Sequence, residues 1–141
     1  MTPLRSRRKL IVLETDRPAL SEVLAIARSW YDVFPTSEPR QAEAWLNAHP
    51  DIAVFVTDHS AQFIEGKSLL EQVKTHLPDV RRVVLTSYSD LGTLIQGLHN
   101  GAIQKLVQKP IDRNELAAAI VPTEALVAAA ALSNRPTAKV G

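Results

Sequence analysis

The sequence predicts an α/β protein built on a five-stranded parallel sheet, doubly wound with helices on both faces. Short apolar runs alternate with stretches of helical period five times along the chain. The runs are continuously apolar, as in Ile52-Ala-Val-Phe-Val56 and Val83-Val-Leu85, and a strand apolar on both sides is one covered on both sides. The chain has 141 residues, enough for one domain with a proper core. Right-handed crossovers between parallel strands then place helices above and below the sheet.

The elements follow in order. Lys9-Leu-Ile-Val-Leu13 is a short buried strand. Positions 18–29 read as a helix, with Asp16 as N-cap and Leu20, Val23, Leu24 and Ala27 on one face. Positions 30–34 form a strand closed by Pro35. Ser37 is the expected N-cap of a helix over 38–48, which accepts Pro39 in its first turn. His49-Pro50 ends it. Positions 51–56 are the most apolar strand, and a polar loop over 58–66 follows. A helix over 67–77 turns Leu69, Leu70, Val73 and Leu77 inward. A strand over 80–85 leads to a helix over 90–99, closed by Asn100-Gly101. A strand over 105–108 and a helix over 113–120, capped by Asp112, complete the fifth unit. Trp30 and Trp45 read as core or half-buried packing.

Three segments result: a basic N-terminal arm over 1–8, one domain over 9–121, and an extension over 122–141. Pro122 interrupts the last helix; positions 123–132 are Ala-rich and suit one more short helix, and 133–141 read as a tail.

Composition narrows the function. Apolar content of 45% with 22% charged residues is that of a soluble globular protein. A net charge of +1 sets up no strong steering field. The absence of cysteine removes disulfide and thiolate chemistry. The apolar stretch after the basic arm runs only from Leu10 to Leu13, too short for a signal peptide, and no run spans a membrane. The cytoplasm is the expected compartment. Arg5, Arg7, Arg8 and Lys9 read as a solvated arm; contact with nucleic acid is the sharper alternative, without aromatic interleaving or a DNA-binding motif to support it.

The chemistry sits where three apolar runs end. Ile52 to Val56 runs into Thr57-Asp58, Val83 to Leu85 into Thr86-Ser87, and Leu106 to Gln108 into Lys109-Pro110. Ligands of open parallel sheets bind outside the carboxyl ends of the strands. Asp58, Thr86 and Lys109 therefore converge on one crevice. A carboxylate can accept a phosphoryl group, a hydroxyl can bond its oxygens, and an ammonium can neutralise its charge. His59 could relay a proton or bind metal, but a single loop histidine is more simply exposed. His76 and His99 sit at helix ends, where positive charge is mildly favourable.

Over residues 9 to 121 the pattern resembles the receiver domain of bacterial two-component response regulators. Pro50-Asp-Ile-Ala-Val-Phe-Val-Thr-Asp58 with Gly66 downstream, Arg82-Val-Val-Leu-Thr-Ser-Tyr88, Asn100-Gly-Ala102 and Val107-Gln-Lys-Pro110 carry it, in order and at the family's spacing. The resemblance implies a flavodoxin-like sandwich. It implies Asp58 as phosphoacceptor, Thr86 as the hydroxyl that moves to the phosphoryl group, Lys109 as its partner, and Ser87 as a position kept small. Pro110 corresponds to a proline whose preceding peptide is usually cis. The family also implies Mg²⁺, held by acidic side chains after the first strand, the phosphoacceptor and one backbone carbonyl. Here the carbonyl is Ser60's. Aligned on Pro18, Thr15 and Asp16 fill the two acid positions, so one carboxylate is missing; a one-residue shift selects Glu14 and Thr15. His59-Ser-Ala-Gln-Phe-Ile-Glu65 replaces a common Met-Pro-Gly stretch, and Leu106 replaces the switch aromatic.

The first expectation is a receiver module phosphorylated on Asp58 by a histidine kinase or phosphotransfer protein, with Mg²⁺ weakened or absent if the site is degenerate. It signals, and can form homodimers, through the face spanning residues 90–120. Nucleic acid would enter only through an output domain outside this chain. The second is a pseudo-receiver that acts as a phosphorylation-independent interaction module. The third, a haloacid-dehalogenase-like phosphatase, needs an acid two residues after the nucleophile, where this chain has Ser60.

Overall fold

The computed structural model describes residues 7–87, 91–122 and 125. Five strands make one all-parallel sheet: β1 (Lys9–Leu13), β2 (Asp32–Thr36), β3 (Ile52–Asp58), β4 (Arg81–Thr86) and β5 (Lys105–Gln108), in the spatial order β2-β1-β3-β4-β5. Five helices connect or follow them: α1 (Arg17–Ala27), α2 (Pro39–Ala48), α3 (Leu69–His76), α4 (Leu91–Asn100) and α5 (Arg113–Ile120). This is the predicted doubly wound sandwich.

The continuous apolar runs are explained by two cores. On one face, Ile11, Leu13, Phe55 and Val84 pack with Ala42, Leu46, Leu70, Val73, Leu94 and Ile103 from the α2, α3 and α4 side. On the other, Leu10, Val12, Val54, Val56, Val83, Leu85 and Val107 pack with Val23, Ala27, Leu116, Ala119 and Ile120 of α1 and α5. Successive residues of the central strands alternate between cores, so Leu10 to Leu13, Val54 to Val56 and Val83 to Leu85 are apolar throughout. Each fully buried Leu, Ile, Val or Phe contributes about 1.5–3 kcal/mol of transfer free energy.

Several boundaries differ from the sequence reading. β2 begins and ends two residues later than expected and contains Pro35, paired with Val12. As an edge strand, β2 can hold a residue without an N–H. α2 starts after Glu38, which makes no side-chain cap bond. Ser37 is not the cap: the Thr36 hydroxyl accepts the Glu38 N–H at 3.0 Å instead. α1 ends at Ala27, two residues short of the expected end, while Asp16 caps it as expected. The loop over 58–66 contains a short 3₁₀ turn (Ser60–Gln62) and the first strand of a small antiparallel ribbon, Phe63–Ile64 with Lys67–Ser68. Ser68 therefore caps α3, which starts at Leu69 rather than 67. Buried Gln62 holds this corner, accepting from the Ser68 hydroxyl at 2.7 Å and Leu70 N at 3.1 Å.

Trp45 packs edge-on against Phe34, whereas Trp30 is 42% exposed and not part of either core. Gly101 closes α4 with φ +86°, the left-handed cap expected of Asn100-Gly101. Residues 1–6 of the arm, Tyr88 and Asp90, and the extension over 123–141 apart from Ala125 lie outside the described residues.

Candidate functional site

The register builds the site at the carboxyl edge of the sheet. Leu13 pairs with Thr57, so Glu14, just past β1, stands level with Asp58. Asp58 pairs with Leu85, which puts Thr86 one step further out. Thr86 pairs with Gln108, which puts Lys109 one step beyond that. β3 extends two residues past the expected Val56, because its parallel neighbours continue the ladder through Thr57 and Asp58. The ladder runs on into the loops, through His59 N to Leu85 O (3.1 Å) and Lys109 N to Thr86 O (2.7 Å). The peptide between Lys109 and Pro110 is cis.

Lys109 lies between two carboxylates. Its Nζ is 2.8 Å from Asp58 Oδ1 and 2.7 Å from Glu14 Oε1. Asp58 Oδ2 accepts from the Ser60 hydroxyl at 2.7 Å and from Ala61 N at 3.1 Å. Glu14 is 1% exposed, and its Oε2 accepts from Thr15 N at 2.9 Å and Asp16 N at 3.0 Å. Burial alone would raise the Asp58 pKa, but hydrogen bonds from Lys109 and Ser60, the Lys109 charge and the Ala61 N–H hold it below the usual carboxylate range. Burial would lower the Lys109 pKa, but its bonds to Asp58 and Glu14 raise it. Asp58 is thus ionised, and Lys109 charged, at neutral pH.

The other candidates are placed nearby. Thr86 is buried at the end of β4, and its hydroxyl donates to the Ser87 carbonyl at 2.9 Å. Asp16 is exposed and caps α1, its Oδ2 accepting from Ala19 N at 3.3 Å. His59 stacks edge-on against Phe63, with ring centroids 5.8 Å apart. Leu106 packs toward the α4 side of the sheet. Sequence reasoning gave Glu14 only as a metal ligand in a shifted register and Ser60 only as a carbonyl. The structure adds Glu14 as an ion partner of Lys109 and the Ser60 hydroxyl as a donor to Asp58.

Mg²⁺ asks for oxygens in near-octahedral array. Here three of the four Glu14 and Asp58 carboxylate oxygens accept hydrogen bonds, from the ammonium, two backbone N–H groups, or a hydroxyl and an N–H, while the fourth, Glu14 Oε1, is buried 2.7 Å from the Lys109 ammonium without a well-directed hydrogen bond. Among the described residues, no three His, Cys, Asp or Glu side chains converge as a cation site. The residues present do not make a ready divalent site.

An open parallel sheet of this order, with acids and a lysine at its carboxyl edge beside the β1/β3 switch point, defines a flavodoxin-like α/β module. Residues 11–121 match the response regulator receiver domain, and the chain belongs to that family. Such domains are two-component signalling modules, generally without enzymatic activity of their own, and usually bind Mg²⁺. Photosynthetic apparatus regulatory protein RegA of Cereibacter sphaeroides is 29% identical over 119 residues, covering 84% of this chain and 64% of that protein. The chain thus spans less than two thirds of that relative's length. The signal receiver domain of an HD domain-containing protein from Pseudomonas fluorescens Pf-5 superposes with a TM-score of 0.70 at 18% identity, over 96% of this chain and 98% of that one. A response regulator receiver domain protein from Clostridium thermocellum gives 0.67 at 20% identity, over 89% and 98%. At these identities the solved structures speak for the fold alone. No helix among the described residues is long and apolar enough to cross a membrane.

Proposed function

We propose that this receiver domain accepts a phosphoryl group on Asp58 from the phosphohistidine of a histidine kinase or phosphotransfer protein. The observation that carries this is the 2.8 Å contact of Lys109 Nζ with Asp58 Oδ1 at the sheet's carboxyl edge. Phosphoryl transfer is mostly positioning and charge neutralisation. A carboxylate oxygen of Asp58 forms a bond to phosphorus as the P–N bond to the donor imidazole breaks. The electron pair leaves with that nitrogen, which takes a proton from solvent. Lys109 neutralises charge on the transferred oxygens, and the Thr86 hydroxyl turns from Ser87 to bond one of them.

Signalling through residues 90–120 is supported by Ile95 and Leu98, three apart on α4 and 52% and 41% exposed. An apolar pair on one helix face suits a partner or a second copy of the chain. The pseudo-receiver reading is favoured by a separate observation, the sharing of Lys109 with Glu14. Labelling decides between them. Incubation with a phosphorylated kinase should add one phosphoryl mass to the wild type and none to Asp58→Asn. If the wild type stays unlabelled while partner binding persists in Asp58→Asn, the domain is a pseudo-receiver.

A further inference from the structure

We propose that Lys109 is the resident counter-cation of the acid pocket, that Glu14 is the positioning residue that holds it there, and that it stands where a divalent ion would otherwise be needed. This deepens the reading of Asp58 as the reactive centre.

Glu14 is almost fully buried, so water cannot solvate its charge and a cation must. Its orientation is fixed: the N–H groups of Thr15 and Asp16 both point at Oε2, which leaves Oε1 facing Lys109. Asp58 is fixed in the same way, with Ser60 and Ala61 on Oδ2 and Lys109 on Oδ1. Two carboxylates and one ammonium leave a net charge of −1. A divalent ion entering this pocket meets the ammonium's like charge and must displace it from a carboxylate first. No third acid offsets that: the residue after Glu14 is Thr15, and the Asp16 carboxylate is turned to the α1 cap.

The proposal predicts a gain of function on deletion. Lys109→Met leaves Glu14 and Asp58 as adjacent uncompensated carboxylates, a better divalent site than the wild type. Titration of Mg²⁺ into the uniformly ¹⁵N-labelled chain, followed by amide shifts at Glu14, Asp58, Ser60 and Lys109, tests it. The wild type should show no saturating shifts at about 10 mM Mg²⁺, already above the working range of most oxygen-ligand sites. Lys109→Met should bind at least tenfold more tightly, and Lys109→Arg, which restores the charge, should not. Saturation of the wild type by about 10 mM overturns the proposal even if Lys109→Met fails to fold, as does a folded Lys109→Met that binds no better. These titrations contain no phosphodonor, so their failure is distinct from a failure of Asp58 to be labelled.

Discussion

Glu14 Oε1 lies 2.7 Å from Lys109 Nζ, a buried carboxylate paired with an ammonium that also serves Asp58. The pair ties the end of β1 to the end of β5 across β3 and β4. It makes the charge available at Asp58 depend on Glu14, just past the end of a different strand.

Glu14→Gln removes the charge and keeps the shape. Lys109 retains Asp58, so the loss is that of one charge-assisted contact, about 1–3 kcal/mol. The urea midpoint should fall accordingly. An unchanged midpoint would mean that the two backbone N–H donors alone account for Glu14.

The sheet was legible because its signal is local and redundant: a strand buried on both faces has to be apolar throughout, as Leu10 to Leu13 and Val83 to Leu85 are. α5 matched from 113 to 120 because Asp112 caps it by its own chemistry, accepting Glu115 N at 3.0 Å. Strand ends were less legible. Asp58 reads as loop until β1 and β4 extend the ladder beneath it, and Pro35 reads as a stop until β2 is known to be an edge. The triplet of Asp58, Thr86 and Lys109 could be placed from strand ends alone. The Glu14 contact could not, since it depends on how β1 and β5 are staggered across the sheet, and spacing within one strand does not report that.

The Asp58–Lys109 pair predicts a pH profile. Burial would raise Asp58, and its hydrogen bonds from Lys109 and Ser60 outweigh that, so its folded pKa is depressed. Its contribution is complete above the unfolded carboxyl value of about 3.9 and is lost as pH falls through the lower folded value. Lys109 mirrors this: burial opposes its charge, the two carboxylates outweigh burial, and its folded pKa is raised. Its contribution is complete below the unfolded value of about 10.4 and is lost as pH rises through the folded one. The Asp58–Lys109 part of the two shifts is one interaction and is counted once; the part of the Lys109 shift due to Glu14 is separate and is present in both proteins. The stability difference between wild type and Asp58→Asn should be flat from about pH 5 to 9 and shrink in stronger acid. Parallel profiles for the two proteins in acid would contradict it.

Gly97 allows α4 to lie close to the β5 approach. A Cβ there would come within 2.6 Å of Ile103 Cδ1 and 3.0 Å of its Cγ1. Rotation about χ2 moves Cδ1 but leaves Cγ1 in place, and moving Cγ1 requires a χ1 change of a β-branched side chain that is buried. Ala is favoured over Gly in a helix by about 1 kcal/mol, yet overpacking costs about 1–3 kcal/mol, so Gly97→Ala should destabilise on balance. In an Ile103→Ala background the clash is gone, and the same substitution should stabilise. Additive effects in a double-mutant cycle by chemical denaturation would exclude this contact as the cause.

Arg82 acts at the opposite edge of the sheet. It is buried at the start of β4, and its guanidinium donates to four backbone carbonyls: Ala102 from Nε (3.1 Å), Pro78 and Val80 from Nη1 (3.2 and 2.9 Å), and Gly101 from Nη2 (3.1 Å). It thereby joins the loop entering β4 to the loop entering β5. Burial depresses its pKa, but a guanidinium stays charged in proteins. Arg82→Met keeps the length and strips the donors, leaving buried carbonyls unsatisfied at a cost of about 2–4 kcal/mol. Arg82→Lys keeps the charge, but its single nitrogen cannot reach carbonyls on both loops, so it should recover less than half of the loss. Because this clamp stands apart from the carboxyl edge, the rate of Asp58 labelling per folded molecule should be the same in both variants as in the wild type. A labelling rate that falls with stability would show instead that the two edges of the sheet are coupled through β4.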